Sequence, residues 1–158
     1  MVFQSLLSPV KRQYHRHPLA GPLPAFKGDA EEWVPLLYTR ISKKHAPPSL
    51  RFAAMIDTGS PFCLFHAQIG ESIGLDIRSG IEQSIAGVVP GANTPAYFHR
   101  LNLHIEANWV VEINAEFIEN FQCPALLGRR GFFDRFVVKF GHSVNPPIFE
   151  IEQIPLVH

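Results

Sequence analysis

Ala53-Ala54-Met55-Ile56-Asp57-Thr58-Gly59-Ser60 is the stretch on which the reading of this chain turns. Four apolar residues run straight into a carboxylate, followed by a hydroxyl, a glycine and a second hydroxyl. Burying a lone carboxylate at the end of an apolar strand costs several kcal/mol unless it is hydrogen-bonded or paired. Two readings meet that requirement. Asp57 caps a turn by accepting backbone N–H bonds from two residues on, as aspartate before Thr-Gly commonly does. Alternatively, the carboxylate is held there for chemistry. The tripeptide by itself favours the turn.

Working outward, Leu50 to Ile56 is an apolar run that stops at the Asp57 turn, so it predicts a strand. Trp33 to Ile41 predicts an earlier strand, and Pro47-Pro48 interrupts the chain after it. Phe62 to Phe65 predicts a short strand, and Ile69, Ile73 and Leu75 have roughly helical spacing ending near Gly74. Ser84 to Val89 and Ala96 to Ile105 flank Pro90-Gly91-Ala92-Asn93, which predicts a long hairpin. Trp109 to Phe117 alternates Val111, Ile113, Ala115 and Phe117 with Glu112, Asn114 and Glu116, so one face is expected to be buried. Pro124 to Gly128 is an apolar run closed by glycine. Arg130 to Arg135 is expected as a short helix, and Phe136 to Phe140 with Ile148 to Ile151 as a terminal hairpin. Strands dominate and turns recur, so the fold class is all-β with a closed sheet.

The bulk properties exclude several classes. The chain has 158 residues, 46% hydrophobic and 18% charged, which is a globular composition. Lys plus Arg and Asp plus Glu are 14 each, and Lys43-Lys44 and Arg129-Arg130 are only pairs, so no nucleic-acid partner is expected. Cys63 and Cys123 are too few for a disulfide framework or a four-cysteine zinc site, and no metal or cofactor is expected. No run approaches the ~20 apolar residues that span a bilayer. The apolar start is followed, not preceded, by Lys11, Arg12 and Arg16, the wrong order for a signal peptide. The expectation is a soluble cytoplasmic protein without a membrane partner.

Two features strengthen the chemical reading of Asp57: the apolar strand before it, and Ala125-Leu126-Leu127-Gly128-Arg129 far downstream. Together these resemble the retroviral-type, single-domain aspartic peptidases and their cellular relatives, the retropepsin-like family, from about Trp33 to Glu152. Asp57, Thr58 and Gly59 match that family's catalytic triplet, and Ser60 the small residue after it. Ser84 to Phe98, including Ala86, Gly87, Val88, Val89, Pro90 and Gly91, matches the flap that closes over substrate. Leu126, Leu127, Gly128 and Arg129 match the strand that passes behind the catalytic loop, where glycine permits close backbone approach. Phe132-Phe133 matches the single helix near the C-terminus.

The resemblance implies a closed barrel-like acid-protease fold with a flap hairpin, one short C-terminal helix and a homodimer. It implies 29–158 as the peptidase domain; residues 1–28, with Pro9, Pro18, Pro22 and Pro24 and little periodicity, are expected as an extended or loosely ordered leader outside it. Asp29, Asp76 and Asp134 do not precede Thr-Gly or Ser-Gly, so the chain supplies one triplet and half an active site. Two copies on a twofold axis bring two Asp57 carboxylates together, where like charges cannot both ionise and one proton is shared. One carboxyl then activates water and the other protonates the carbonyl oxygen of a peptide or protein substrate. No covalent intermediate and no metal is required. Thr58 is expected to bond the partner loop, Gly59 to bring its N–H to the carboxylate, and Ser60 to bond the outer oxygen of Asp57. Phe149 to Ile151 and part of the leader are expected in a sheet shared between subunits.

Other constellations are weaker. His15-Arg16-His17 lacks further ligands nearby. Cys63 and His66, three apart on a strand, are expected on opposite faces, with Cys63 buried behind the Asp57 loop. No Gly-x-Ser-x-Gly elbow supports a serine triad. Phe62 and Phe98 are candidates to line a cleft. The second function class is a peptide-binding or dimerisation module that keeps the fold with little or no turnover.

Overall fold

A computed structural model of the chain describes residues 8–155 apart from 90, 91, 107, 108, 121, 123 and 124; for 85–89, 92 and 93 it describes the backbone alone. In chain order the strands are β1 (Val10–Gln13), β2 (His15–Leu23), β3 (Asp29–Val34), β4 (Leu36–Ser42), β5 (Phe52–Ile56) and β6 (Leu64–His66), then α1 (Ala67–Glu71). They continue with β7 (Ile81–Val89), β8 (Ala92–Glu106), β9 (Trp109–Ile118), β10 (Ala125–Leu127), β11 (Phe136–Gly141) and β12 (Ile148–Gln153). The chain divides into two compact units, 37–135 and 1–36 with 136–158.

The first unit is a closed sheet. Its strands lie in the order β4-β5-β10-β6-β9-β8-β7, and β4 also pairs with β8, which closes six strands into a barrel and leaves β7 attached to β8. β10 enters between β5 and β6, parallel to β5 through Leu126↔Met55 and Leu127↔Ile56, and antiparallel to β6 through Leu126↔Leu64. That insertion brings the chain after β10 against the Asp57 turn. The alternation read from the sequence is realised: Ile41, Ala54, Phe65, Leu103, Phe117 and Leu127 are buried. Phe65 and Phe117 meet at 5.7 Å, and each such buried aromatic contributes roughly 1.5–3 kcal/mol. The opposite face also has a buried patch, where Leu64, Ala96 and Ile118 pack together with the half-buried Leu126.

Helix α1 starts where His66 Nδ1 accepts the Gln68 N–H at 3.1 Å. It ends by Gly74, whose φ of +74° a side chain would resist. The short helix expected over Arg130 to Arg135 is not formed; Arg130 makes an isolated bridge to Phe62, and 131–135 make a run of turns. The reason is local. Gly131 has φ +103°, outside helical space, and its N–H donates to Asp134 Oδ1 at 2.9 Å. The Phe133 and Asp134 N–H groups reach back five residues, to Gly128 and Arg129.

In the second unit β12 lies between β1 and β11, both antiparallel to it. Val10↔Ile151 and Lys11↔Glu150 fix the register, and the Lys11 and Glu150 side chains pair at 3.1 Å. Tyr14 packs on Phe149 with ring centres 6.0 Å apart. Phe149 to Ile151, expected in a sheet shared between subunits, therefore has both edges paired within its own chain; β1 and β11 are the outer strands. Of the residues read as a leader, 10–13 and 15–23 are strands, and β2 pairs with β3. Arg16 stacks over Trp33 at 5.1 Å on this hairpin. No helix among the described residues is long and apolar enough to cross a membrane.

Candidate active site

The Asp57 turn is built by backbone bonds. Asp57 continues the β5–β10 pairing one step, its N–H donating to the Leu127 carbonyl at 3.0 Å. The Gly59 N–H donates to Asp57 Oδ1 at 2.9 Å, and the Ser60 N–H reaches the Asp57 carbonyl at 3.3 Å. The turn-capping and held-carboxylate readings thus describe one geometry: the turn fixes Oδ1 and leaves Oδ2 without a hydrogen bond among the described residues. Asp57 is half-buried, and Thr58 is exposed at the tip.

Behind the turn, the Arg129 and Arg130 N–H groups donate to the Ser60 and Pro61 carbonyls at 2.9 and 3.0 Å. Arg129 Nη1 donates to the Thr58 carbonyl at 2.8 Å and the Gly59 carbonyl at 3.1 Å. Gly128 lies under this lacing. A Cβ there would stand 2.1 Å from the Phe62 carbonyl oxygen and 2.7 Å from that of Ser60, so only glycine fits. Ser60 departs from expectation. Its hydroxyl donates to the Phe62 carbonyl at 2.7 Å, within its own turn, and not to Asp57.

Cys63 is fully buried next to this loop, where burial pushes its thiol up to about 12 and a hydrogen bond from the Gly128 backbone opposes this only in part. A thiol that stays protonated at neutral pH is no nucleophile. His66 spends its Nδ1 on the α1 cap. Phe62 and Phe98 meet edge to face at 5.2 Å and share an open groove of about 990 Å³ with Ile81, Gln83 and Arg130. The groove borders the Asp57 turn through Phe62 but does not include Asp57.

Ala86 to Val89 form the end of β7, and Val89 registers with Ala92 across the hairpin, with an irregularity between Ile85 and Val89. Pro90 and Gly91 lie outside the described residues. Among the described residues no group of three or more His, Cys, Asp or Glu is arranged to hold a metal.

One acidic group escaped the reading by alternation. Glu116 was counted with Glu112 and Asn114 on the polar row of β9, yet it is only 3% exposed. Its Oε1 has no hydrogen-bond partner among the described residues, and burial raises its carboxyl to about 7. The available signal was the sequence around it, Ala115 before and Phe117-Ile118 after, which makes four consecutive buried residues.

No family model and no curated protein sequence matches the chain. Solved structures do. A retropepsin-like aspartic protease from Rickettsia conorii aligns over 94% of this chain and 95% of its own, with a TM-score of 0.52 and 10% identity. The protease of EIAV in complex with an inhibitor aligns over 61% of this chain and 82% of its own, with a TM-score of 0.42 and 13% identity. The retroviral protease-like domain of Ddi1 from Leishmania major aligns over 60% and 73%, with a TM-score of 0.43 and 16% identity. The six-strand barrel, the inserted β10 and the near full-length match to the Rickettsia protein agree: the chain has the retropepsin-like fold.

Proposed function

We propose that the chain is one half of an aspartic endopeptidase whose active site forms when two copies bring their Asp57 carboxylates together. The observation that carries this reading is the Asp57 turn, which ties Oδ1 to the Gly59 N–H and leaves Oδ2 for a partner, water or substrate. The retropepsin-like fold supports it. In such a pair one carboxylate draws a proton from water as it attacks the peptide carbonyl, and the protonated partner donates to the carbonyl oxygen. Arg129 holds the Thr58 and Gly59 carbonyls, so the loop keeps its shape as charge redistributes. The exposed Thr58 supplies the contact to the partner loop, and the β7–β8 hairpin closes over the bound peptide. The partners are therefore a second copy and a peptide or protein.

The test is cleavage of a peptide library from acidic to neutral pH by the parent protein and by Asp57→Asn, a nearly isosteric change. The parent should cleave and the variant should not. Equal rates in the two proteins sink the aspartic mechanism. At high pH both carboxylates ionise and repel, so activity should decline there.

A further inference from the structure

Glu116 and Asp57 face the same side of the sheet. Asp57 follows Met55 in alternation with the buried Ala54 and Ile56, and Met55 registers with Leu126. Leu126 registers with Leu64, and Leu64 with Glu116. On its other side Glu116 registers with Phe98, whose ring meets Phe62. The Glu116 carboxyl thus stands among apolar neighbours, three strand spacings from the Asp57 strand, roughly 14 Å. An extended peptide covers that distance in about four residues at ~3.3 Å each.

A carboxyl that is nine-tenths buried and lacks a partner for Oε1 among the described residues is costly to keep unless something supplies a donor. We propose that Glu116 is a specificity-determining residue that receives the side chain of a lysine or arginine in the substrate, within about four residues of the scissile bond. The methylene stem lies along Leu64 and Phe98 while the cationic head meets the carboxylate, the arrangement in which a buried charge pair is favourable. This inference rests on the peptidase reading, and it names the substrate class of that same site.

The experiment uses the full chain and paired peptides that differ only in carrying arginine or norleucine at each position around the cleaved bond. In the parent protein, kcat/KM at one position should favour arginine by about tenfold or more. In Glu116→Leu that ratio should fall at least tenfold, and Glu116→Gln serves as the second variant if the first does not fold. A parent without basic preference, or a ratio unmoved in both variants, overturns the assignment while Asp57-dependent cleavage still upholds the peptidase. If no peptide is cleaved, the peptidase reading fails. The arginine and norleucine peptides are then titrated by fluorescence into Asp57→Asn, and equal affinities, or no binding, overturn the Glu116 assignment as well.

Discussion

Two carboxylates share one face of the barrel sheet and live under opposite conditions. Asp57 ends its strand at a turn that hands it a backbone N–H, and it stays partly open to solvent. Glu116 sits inside a strand, hemmed by Leu64 and Phe98 in register, and its Oε1 has no donor among the described residues. The difference teaches how each was legible. A turn is a local event written in consecutive residues, so Asp-Thr-Gly-Ser announces it. Burial of Glu116 is made by Leu64 of β6, distant in sequence, and by Phe98 across the β8–β9 hairpin, and no short window around residue 116 contains both. The same contrast explains other outcomes. The barrel strands followed from period-two patterning, and the need for glycine at 128 followed from the family resemblance. The helix expected over Arg130 to Arg135 failed because one φ at Gly131 and one Asp134 side-chain bond, neither visible as a pattern, divert the chain. The pairing of β1 with β12 could not be read because it joins the two ends of the chain.

The contrast can be broken from the Asp57 side most forcefully. Gly128→Ala drives a Cβ into the backbone carbonyls of Phe62 and Ser60, which are held by the Ser60 hydroxyl and the Arg129 N–H. It should cost on the order of 4 kcal/mol or more in urea unfolding, and cleavage should go with it. A melt matching the parent would mean the loop is looser than described.

From the Glu116 side the signature is a pH dependence of stability. The folded carboxyl titrates at about 7, against an ordinary 4.5, with burial as the cause. Between those values the folded state holds a proton that the unfolded state has lost, so stability should fall as pH rises from about 4.5 to 7 and level off above. The drop should be roughly 3 kcal/mol, and Glu116→Gln should remove most of it. Denaturant midpoints in Glu116→Gln that track the parent across this range would assign the slope to other groups.

A smaller effect sharpens the comparison. Arg129→Met removes the two guanidinium bonds to the Thr58 and Gly59 carbonyls and leaves the backbone bonds of the turn in place. The loss should be about 1–2 kcal/mol, with kcat reduced more than KM is raised, since the change loosens the loop and not the peptide-binding face. A change confined to KM would place Arg129 in substrate binding instead.

The central claim is that each chain holds half an active site. Parent protein is mixed with increasing excess of Asp57→Asn subunits, the two are allowed to exchange, and peptide cleavage is followed against the parent fraction. If every site needs an Asp57 from each of two chains, activity falls as the square of that fraction. A strictly linear fall, as from simple dilution, would show that one chain suffices and would contradict the account.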